Sequence, residues 1–207
     1  MEEFLATGES DVSRFVGFLR KHAHLSPPLG DVLDFGCGVG RLSRAWASRA
    51  KSVTGVDVAP TMIQMAEKVL REFPNARVCV NVENNLRQFS DKSFDVVASY
   101  ITIQHIPPAA ALTYLSELCR LLRPGGVLIF QAITERKPGD WKGWLGDWFP
   151  WLVEIHHRLI KGFRVFVTPE KSIFRLMQSM AMETVAIEED PGAGKNVTSR
   201  IFIFRKR

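Results

Sequence analysis

Residues Asp34-Phe35-Gly36-Cys37-Gly38-Val39-Gly40 set one carboxylate ahead of three alternating glycines. Glycines in such a loop allow tight turning and close approach of backbone to a ligand, and a helix opening just after them offers free N–H groups. A dinucleotide fingerprint reads G-x-G-x-x-G, but the sixth position counted from Gly36 is Arg41, so that pattern fails. The acid before the glycines would repel a pyrophosphate and suits a ligand that carries an ammonium group. A second acid, Asp57, follows seventeen residues beyond Gly40, at the end of the next apolar run. Doubly wound folds use a carboxylate there to accept hydrogen bonds from ribose hydroxyls; capping the following helix is its plainer use. The five histidines and three cysteines, Cys37, Cys79 and Cys119, show no metal-ligand spacing, so no metal is expected.

The elements that must hold these groups alternate along the chain. VLDF (32–35), SVTGVD (52–57), ARVCVN (76–81), FDVVASY (94–100) and VLIFQA (127–132) are short, apolar and bounded by turn residues, as buried strands are. Between them, Leu42, Ala45 and Trp46, then Met62, Met65, Ala66 and Val69, then Leu112, Leu115, Leu118, Cys119 and Leu122 recur at helical spacing. Arg123-Pro124-Gly125-Gly126 stops the last of these helices. The alternation predicts a doubly wound α/β fold with a mostly parallel sheet and helices on both faces. Residues 10–22 read as a preceding helix capped by Ser10 or Asp11, inside a helical lead-in over 1–29. Past residue 133 the alternation ceases, which predicts a lid-like insertion over 134–168. A helix over 169–181 and two strand-like runs, METVAIEE and TSRIFIFRK, then complete one domain, 1–207, with an antiparallel edge.

VLDFGCGVGRL, VTGVDVAPTMIQMAEK, SFDVVASYITIQHIP and LLRPGGVLIFQ, in this order and spacing, resemble the successive motifs of class I S-adenosylmethionine-dependent methyltransferases, nearest to the methyltransferase-domain group acting mostly on small molecules. The resemblance covers roughly residues 30–133. It implies a Rossmann-like sheet of seven strands with the last one antiparallel. It also implies S-adenosylmethionine as cofactor and S-adenosylhomocysteine as product. By this resemblance Asp34, Gly36, Cys37, Gly38 and Gly40 surround the methionine part, Asp57 holds the ribose, and Val58 and Met62 lie on the adenine side. Many relatives place an Asp after the third strand to meet the adenine amino group. This chain has none there, and Asn81, or else the Leu86 backbone, is expected to serve. Tyr100 and Ile101 are expected near the reactive sulfonium. Thr7 and Gly8 either close over the carboxylate end of the cofactor or form a plain helix lead-in, and Arg41 either pairs with that carboxylate or faces solvent from its helix.

For a base, His105 stands on the rim where an acceptor should lie, and His156 and His157 stand in the insertion; each also has a purely structural use. Members of this fold that methylate amide or nucleobase nitrogens often carry an (Asp/Asn/Ser)-Pro-Pro-Tyr run after the fourth strand. Ser99-Tyr100-Ile101-Thr102 stands there instead, which points to a small-molecule acceptor, with oxygen as first choice. Trp141, Trp144, Trp148 and Trp151, four of the five tryptophans, are spaced three, four and three, a one-faced pattern interrupted by Gly143, Gly146 and Pro150. They cap the sheet rim, line a pocket for an apolar or aromatic acceptor, or face a bilayer with Lys142, Arg158, Lys161 and Arg164.

The remaining composition is that of an ordinary globular chain, 46% hydrophobic and 24% charged over 207 residues. No apolar run approaches the roughly 20 residues that span a bilayer, and MEEFLATGESDV has no leader character, so a cytoplasmic protein is expected. The net charge of +5 is concentrated in clusters such as Arg205-Lys206-Arg207. A solvated basic end is the simplest use of that cluster, and nucleic acid is not the expected partner. Methylation of RNA or protein, or a cofactor-binding regulatory subunit without activity, are the rival readings.

Overall fold

A computed structural model describes residues 2–137, 165–190, 192 and 196–207. The described residues form a seven-stranded sheet in the order β3-β2-β1-β4-β5-β7-β6. Its strands are β1 (Leu29–Phe35), β2 (Ala50–Asp57), β3 (Ala76–Val80), β4 (Phe94–Ser99), β5 (Leu122–Arg136), β6 (Met182–Glu189) and β7 (Val197–Lys206). Strands β1 to β5 pair in parallel, and β7 runs antiparallel to both β5 and β6. The chain winds outward from β1 through β2 to β3, then returns across the sheet to β4. The crevice at the carboxyl ends of β1 and β4 is therefore the topological switch point, where open α/β sheets bind ligands.

Both faces of the sheet are buried. On one, α1 (Glu2–Ala23) and α2 (Arg41–Ala47) deliver Val12, Phe15, Leu19, Leu42 and Trp46 onto Val32, Val53, Val96, Val127 and Ile203. On the other, α4 (Pro108–Leu121) and α5 (Glu170–Ser179) deliver Leu115, Leu118, Ile173 and Met177 onto Leu33, Val97, Leu128, Phe202 and Phe204. The apolar runs of the parallel strands are continuous for this reason: neighbouring residues face opposite cores. Two prolines open helices at positions where no N–H is needed, Pro60 in α3 (Pro60–Val69) and Pro108 in α4.

Three expectations need correction. The first helix starts at Glu2, so Ser10 and Asp11 lie within it and cap nothing. Asp11 instead pairs with Arg41 and Arg14. Gly8 lies within that helix too, at a position where an added Cβ would collide with the Arg41 carbonyl oxygen. Its missing side chain lets α1 touch α2 backbone to backbone. Second, β5 continues through 134–136, the first residues assigned to the insertion. The chain then rejoins the rim at 165–168, where Arg136 donates to the Val165 carbonyl and the Thr168 N–H donates to that of Ile133.

Third, the basic end is not simply solvated. The Lys206 ammonium donates to the carbonyls of Cys119, Leu122 and Arg120 at 2.8, 3.0 and 3.3 Å, filling the orphan acceptors at the end of α4. Burial there lowers its pKa. Arg205 donates to the Ala23 carbonyl at the end of α1. Two of the cluster's three cations thus serve helix termini. Lys206→Met keeps the aliphatic stem and removes the donors, so it should cost about 1.5–3 kcal/mol of stability in urea unfolding, the range for charge-assisted hydrogen bonds.

Candidate cofactor and acceptor site

The register of β1 on β2 sets the site. Phe35 lies level with Val56, so the chain leaving β1 meets the end of β2 immediately. The N–H groups of Gly36 and Cys37 both donate to the Val56 carbonyl, at 2.8 and 3.0 Å. Gly36, Gly38 and Gly40 have φ of 76°, 53° and 84°, in the left-handed region that L side chains avoid. At Gly36 the space is also closed, since a Cβ there would lie 2.2 Å from the Thr102 side chain.

Asp57 ends β2 and faces this loop. One carboxylate oxygen accepts the Gly38 N–H and the other the Ala59 N–H, each at 2.9 Å. Each oxygen keeps a further lone pair for a ligand hydroxyl. The N-cap of α3 is Ala59 and not Asp57, which instead holds that residue's own N–H and lines the cleft. A cavity of about 410 Å³ opens here, with Asp57 and Asn81 at its polar end and Phe35, Val56, Val58 and Ile106 on its apolar walls. Gly36, Ile101, Thr102, His105 and Tyr114 complete its lining.

Other expected residues lie elsewhere. Asp34 is buried behind the loop and accepts the Ser43 hydroxyl at 2.6 Å. Burial pushes its pKa up to about 6 from 3.8, against the opposing pull of that hydrogen bond. Cys37 is likewise buried, with a thiol pushed far up by desolvation and by nearby Asp34 and Asp57, and so is inert as a nucleophile. Met62 is half-exposed on α3 and is not part of the cavity wall. Leu86 sits in the core, and its N–H is taken by the Glu117 carboxylate at 2.9 Å. Asn81 is in the cleft, holding the Glu83 carbonyl through its amide nitrogen and the Gln88 amide through its oxygen.

Tyr100 and Ile101 part company. The Tyr100 ring packs edge-on against Phe15, 5.3 Å between centroids, and its hydroxyl meets Arg14 and Asp190 beneath α1. Ile101 has φ 57°, a strained backbone for a β-branched residue, costing of order 1–3 kcal/mol. That kink lets Tyr100 enter one core while Ile101, 41% exposed, faces the cleft. Arg41 is neither solvent-facing nor free for a ligand carboxylate: its side chain is 11% exposed and binds Asp11 and the Thr7 hydroxyl. His105 borders the cleft, with its Nε2 3.2 Å from the Gln104 amide nitrogen. His156, His157, Trp141, Trp144, Trp148 and Trp151 lie outside the described residues.

Phe35, Val56, Thr102, Ile106 and Tyr114 line the cavity but were not read from the sequence as site residues. Tyr114 flanks the apolar stripe of α4, stacks obliquely on Phe35 at 5.0 Å and donates its hydroxyl to the Glu83 carbonyl. A polar-tipped aromatic beside a leucine stripe was the available signal.

Residues 33–130 match the methyltransferase-domain family. The chain is also 30% identical to a ubiquinone biosynthesis O-methyltransferase of Idiomarina loihiensis, over 75% of this chain and 63% of that protein. By these likenesses the chain resembles the class I S-adenosylmethionine-dependent methyltransferases. A 2-methyl-6-phytyl-1,4-hydroquinone methyltransferase of Synechocystis is 36% identical over 53% of this chain and 34% of that protein. The chain thus spans from about a third to just under two thirds of these two relatives. The solved magnesium protoporphyrin IX methyltransferase of Synechocystis, with bound S-adenosylhomocysteine, shares the fold at TM-score 0.67 and 21% identity, covering 99% of this chain and 86% of that one. The family's cofactor is S-adenosylmethionine, and the cleft fits it: a carboxylate with lone pairs to spare for ribose hydroxyls stands beside an apolar slot for a flat ring. Among the described residues no three His, Cys, Asp or Glu side chains group to hold a metal ion, and no helix is long and apolar enough to cross a membrane.

Asp34 carries a pH signature. Between its unfolded pKa near 3.8 and its folded value of about 6, the native state holds a proton that the unfolded chain has lost, so stability falls as pH rises through that window. Asp34→Asn should flatten this component, and the wild-type minus variant difference in unfolding free energy should decrease from pH 4 to pH 6. Urea titrations at four pH values across the window measure it.

Proposed function

We propose that this chain transfers a methyl group from S-adenosylmethionine to an oxygen of a small-molecule acceptor. Asp57 is the observation that carries the reading, because its carboxylate is fixed by two backbone amides yet keeps acceptor capacity toward the cleft. In this reading Asp57 takes the ribose hydroxyls, Val58 and Asn81 the adenine, and the Gly36–Gly40 loop the methionine end. Ile101 and Thr102 border the reacting centre. Asp34 then acts indirectly: its buried charge holds Ser43 and adds negative potential behind the loop, which favours a cationic ligand in front of it.

When bound, the cofactor supplies an electrophilic methyl group on a positively charged sulfur. The protein's part is to align the acceptor and exclude water. Such alignment can contribute about 7–11 kcal/mol, against roughly 100- to 10,000-fold in rate for a positioned base. The methyltransferases of ubiquinone biosynthesis and of 2-methyl-6-phytyl-1,4-hydroquinone among the relatives support a ring-bearing, hydroxylated acceptor. The tryptophan-rich segment 141–151, joined to the rim through 136 and 165, is the part of the chain we assign to that acceptor. Use of Arg205 and Lys206 at helix ends weakens the case for a nucleic-acid substrate.

Calorimetric titration with S-adenosylmethionine and S-adenosylhomocysteine should give micromolar binding, with none for NAD. Asp57→Ala should weaken both by about 1.5–3 kcal/mol, the loss of hydrogen bonds to a charged group. Unchanged affinity in that variant removes Asp57 from the site. Incubation with S-adenosylmethionine and a panel of catechols and hydroquinones should then release S-adenosylhomocysteine.

A further inference from the structure

Among the described residues four other than glycine have positive φ: His24, Lys92, Ile101 and Ala181. His24 directly follows α1 and Ala181 the C-cap of α5, where a single left-handed residue is a common way to end a helix. Lys92 lies in the turn that leads into β4. Ile101 is the one β-branched residue of the four, and such side chains tolerate this conformation worst. Its side chain belongs to neither face of the core and stands 41% exposed in the cleft, so core packing does not offset the cost.

What holds this turn lies on either side of Ile101. After it, the Thr102 hydroxyl sits 3.2 Å from the Tyr100 carbonyl and 3.4 Å from that of Gly36, so it bridges the turn and the glycine loop. Before it, the Tyr100 hydroxyl accepts from Arg14 at 2.9 Å and donates to Asp190 at 3.3 Å, and the Arg14 guanidinium stands 5.4 Å from the ring centroid. Burial, and then the Asp190 charge, raise the Tyr100 pKa, so the hydroxyl keeps its proton and remains a donor. Asp190 is itself fixed. It accepts from Arg14 at 3.0 Å and from Ser199 at 3.2 Å, and its own N–H donates to the Ser199 carbonyl at 3.0 Å. A file of buried polar side chains continues from it, with Ser199 accepting from Gln131 at 2.7 Å and Gln131 donating at 2.9 Å to Gln104, beside His105. The chain passes close to Tyr100 again at Gly192, where a Cβ would lie 2.9 Å from the hydroxyl oxygen.

We propose that Tyr100 is a positioning residue for the cleft, anchored by Arg14 and Asp190, and that it acts only through the turn at Ile101. Its pull inward under α1 keeps the isoleucine left-handed, so Ile101 and Thr102 stand as a finished cleft wall before any ligand arrives. Without the hydroxyl the turn relaxes toward negative φ, and the wall must be rebuilt on binding, which lowers affinity for an S-adenosyl ligand. A glycine at position 101 adopts the same turn without assistance. The choice of ligand rests on the methyl-transfer reading; the strained turn and its anchors do not.

The test is a double-mutant cycle read by calorimetric titration with S-adenosylhomocysteine. Tyr100→Phe keeps the ring and the Arg14–Asp190 pair, and should weaken binding about two- to tenfold, the equilibrium equivalent of one hydrogen bond. Ile101→Gly alone sets a reference affinity, and adding Tyr100→Phe to it should change that affinity by less than about twofold. The same loss in both backgrounds, or no loss in either, overturns the inference. If Tyr100→Phe does not fold, Asp190→Asn loosens the same anchor from its other side and takes its place, with the same expected and overturning results. Urea unfolding of Ile101→Ala and Ile101→Gly checks the turn itself. Glycine should be the more stable of the two, the reverse of its usual rank, and a more stable alanine variant overturns the strained turn. Binding to wild type without the expected coupling removes this inference alone, whereas no binding to wild type removes the cofactor reading and this inference with it.

Discussion

The hydrogen bonds between the end of β2 and the loop after β1 are the constraint on which the site depends. The Val56 carbonyl gathers the N–H groups of Gly36 and Cys37, and the neighbouring Asp57 carboxylate gathers that of Gly38. A loop held this way needs no ligand to define its path. The left-handed φ values at three glycines are the conformational cost of that path. Because β1 and β2 pair in register up to Phe35 and Val56, any shift of either strand would misplace the carboxylate against the loop. The apolar packing on both faces of the sheet thus acts on function through register.

The opposite side of the crevice is held by a different kind of interaction. Past β4 the chain must send Tyr100 into the core under α1 and bring Thr102 against Gly36, and Ile101 takes the strained turn between them. Anchoring of the Tyr100 hydroxyl by Arg14 and Asp190 gives the surroundings enough grip to sustain that strain. The same Asp190 heads the polar file that reaches His105. A single buried carboxylate, contributed from the end of β6, therefore bears on both the backbone and the side chains of this rim of the cleft.

Much of this was legible in the residues. Continuous apolar runs separated by helical stripes implied a covered parallel sheet, and the acid–glycine loop with Asp57 located the cleft at its switch point. What escaped has a common physical cause. Tyr100 was expected by its position beside the reactive centre, but whether a side chain at a strand end faces cleft or core depends on the backbone turn that follows, and nothing in the Tyr-Ile-Thr string announces a left-handed isoleucine. Asp11, Arg41, Arg205 and Lys206 looked like cap, free cation or solvated charge. Apart from Arg14, three positions from Asp11, their partners lie from 30 to 182 positions away, and long-range pairing of charges leaves no periodic trace. Gln104, Gln131 and Ser199 are individually unremarkable polar residues, and only the register of β5 on β7 and the turn at Ile103–His105 bring them into one file.

The division of labour along the chain follows from these constraints. The part matched by the methyltransferase-domain family, 33–130, contains the glycine loop, Asp57, Asn81 and the Ile101–His105 turn. Its geometry is dictated by backbone hydrogen bonds and sheet register, which tolerate wide variation in side chains as long as glycine and acid keep their places. The acceptor half has no such rule. In the proposed reading it is supplied by the segment between β5 and α5, next in sequence to a rim that has Gln131 and Asp190 buried behind it. Those two groups belong to the sheet and to the end of its edge strand β6.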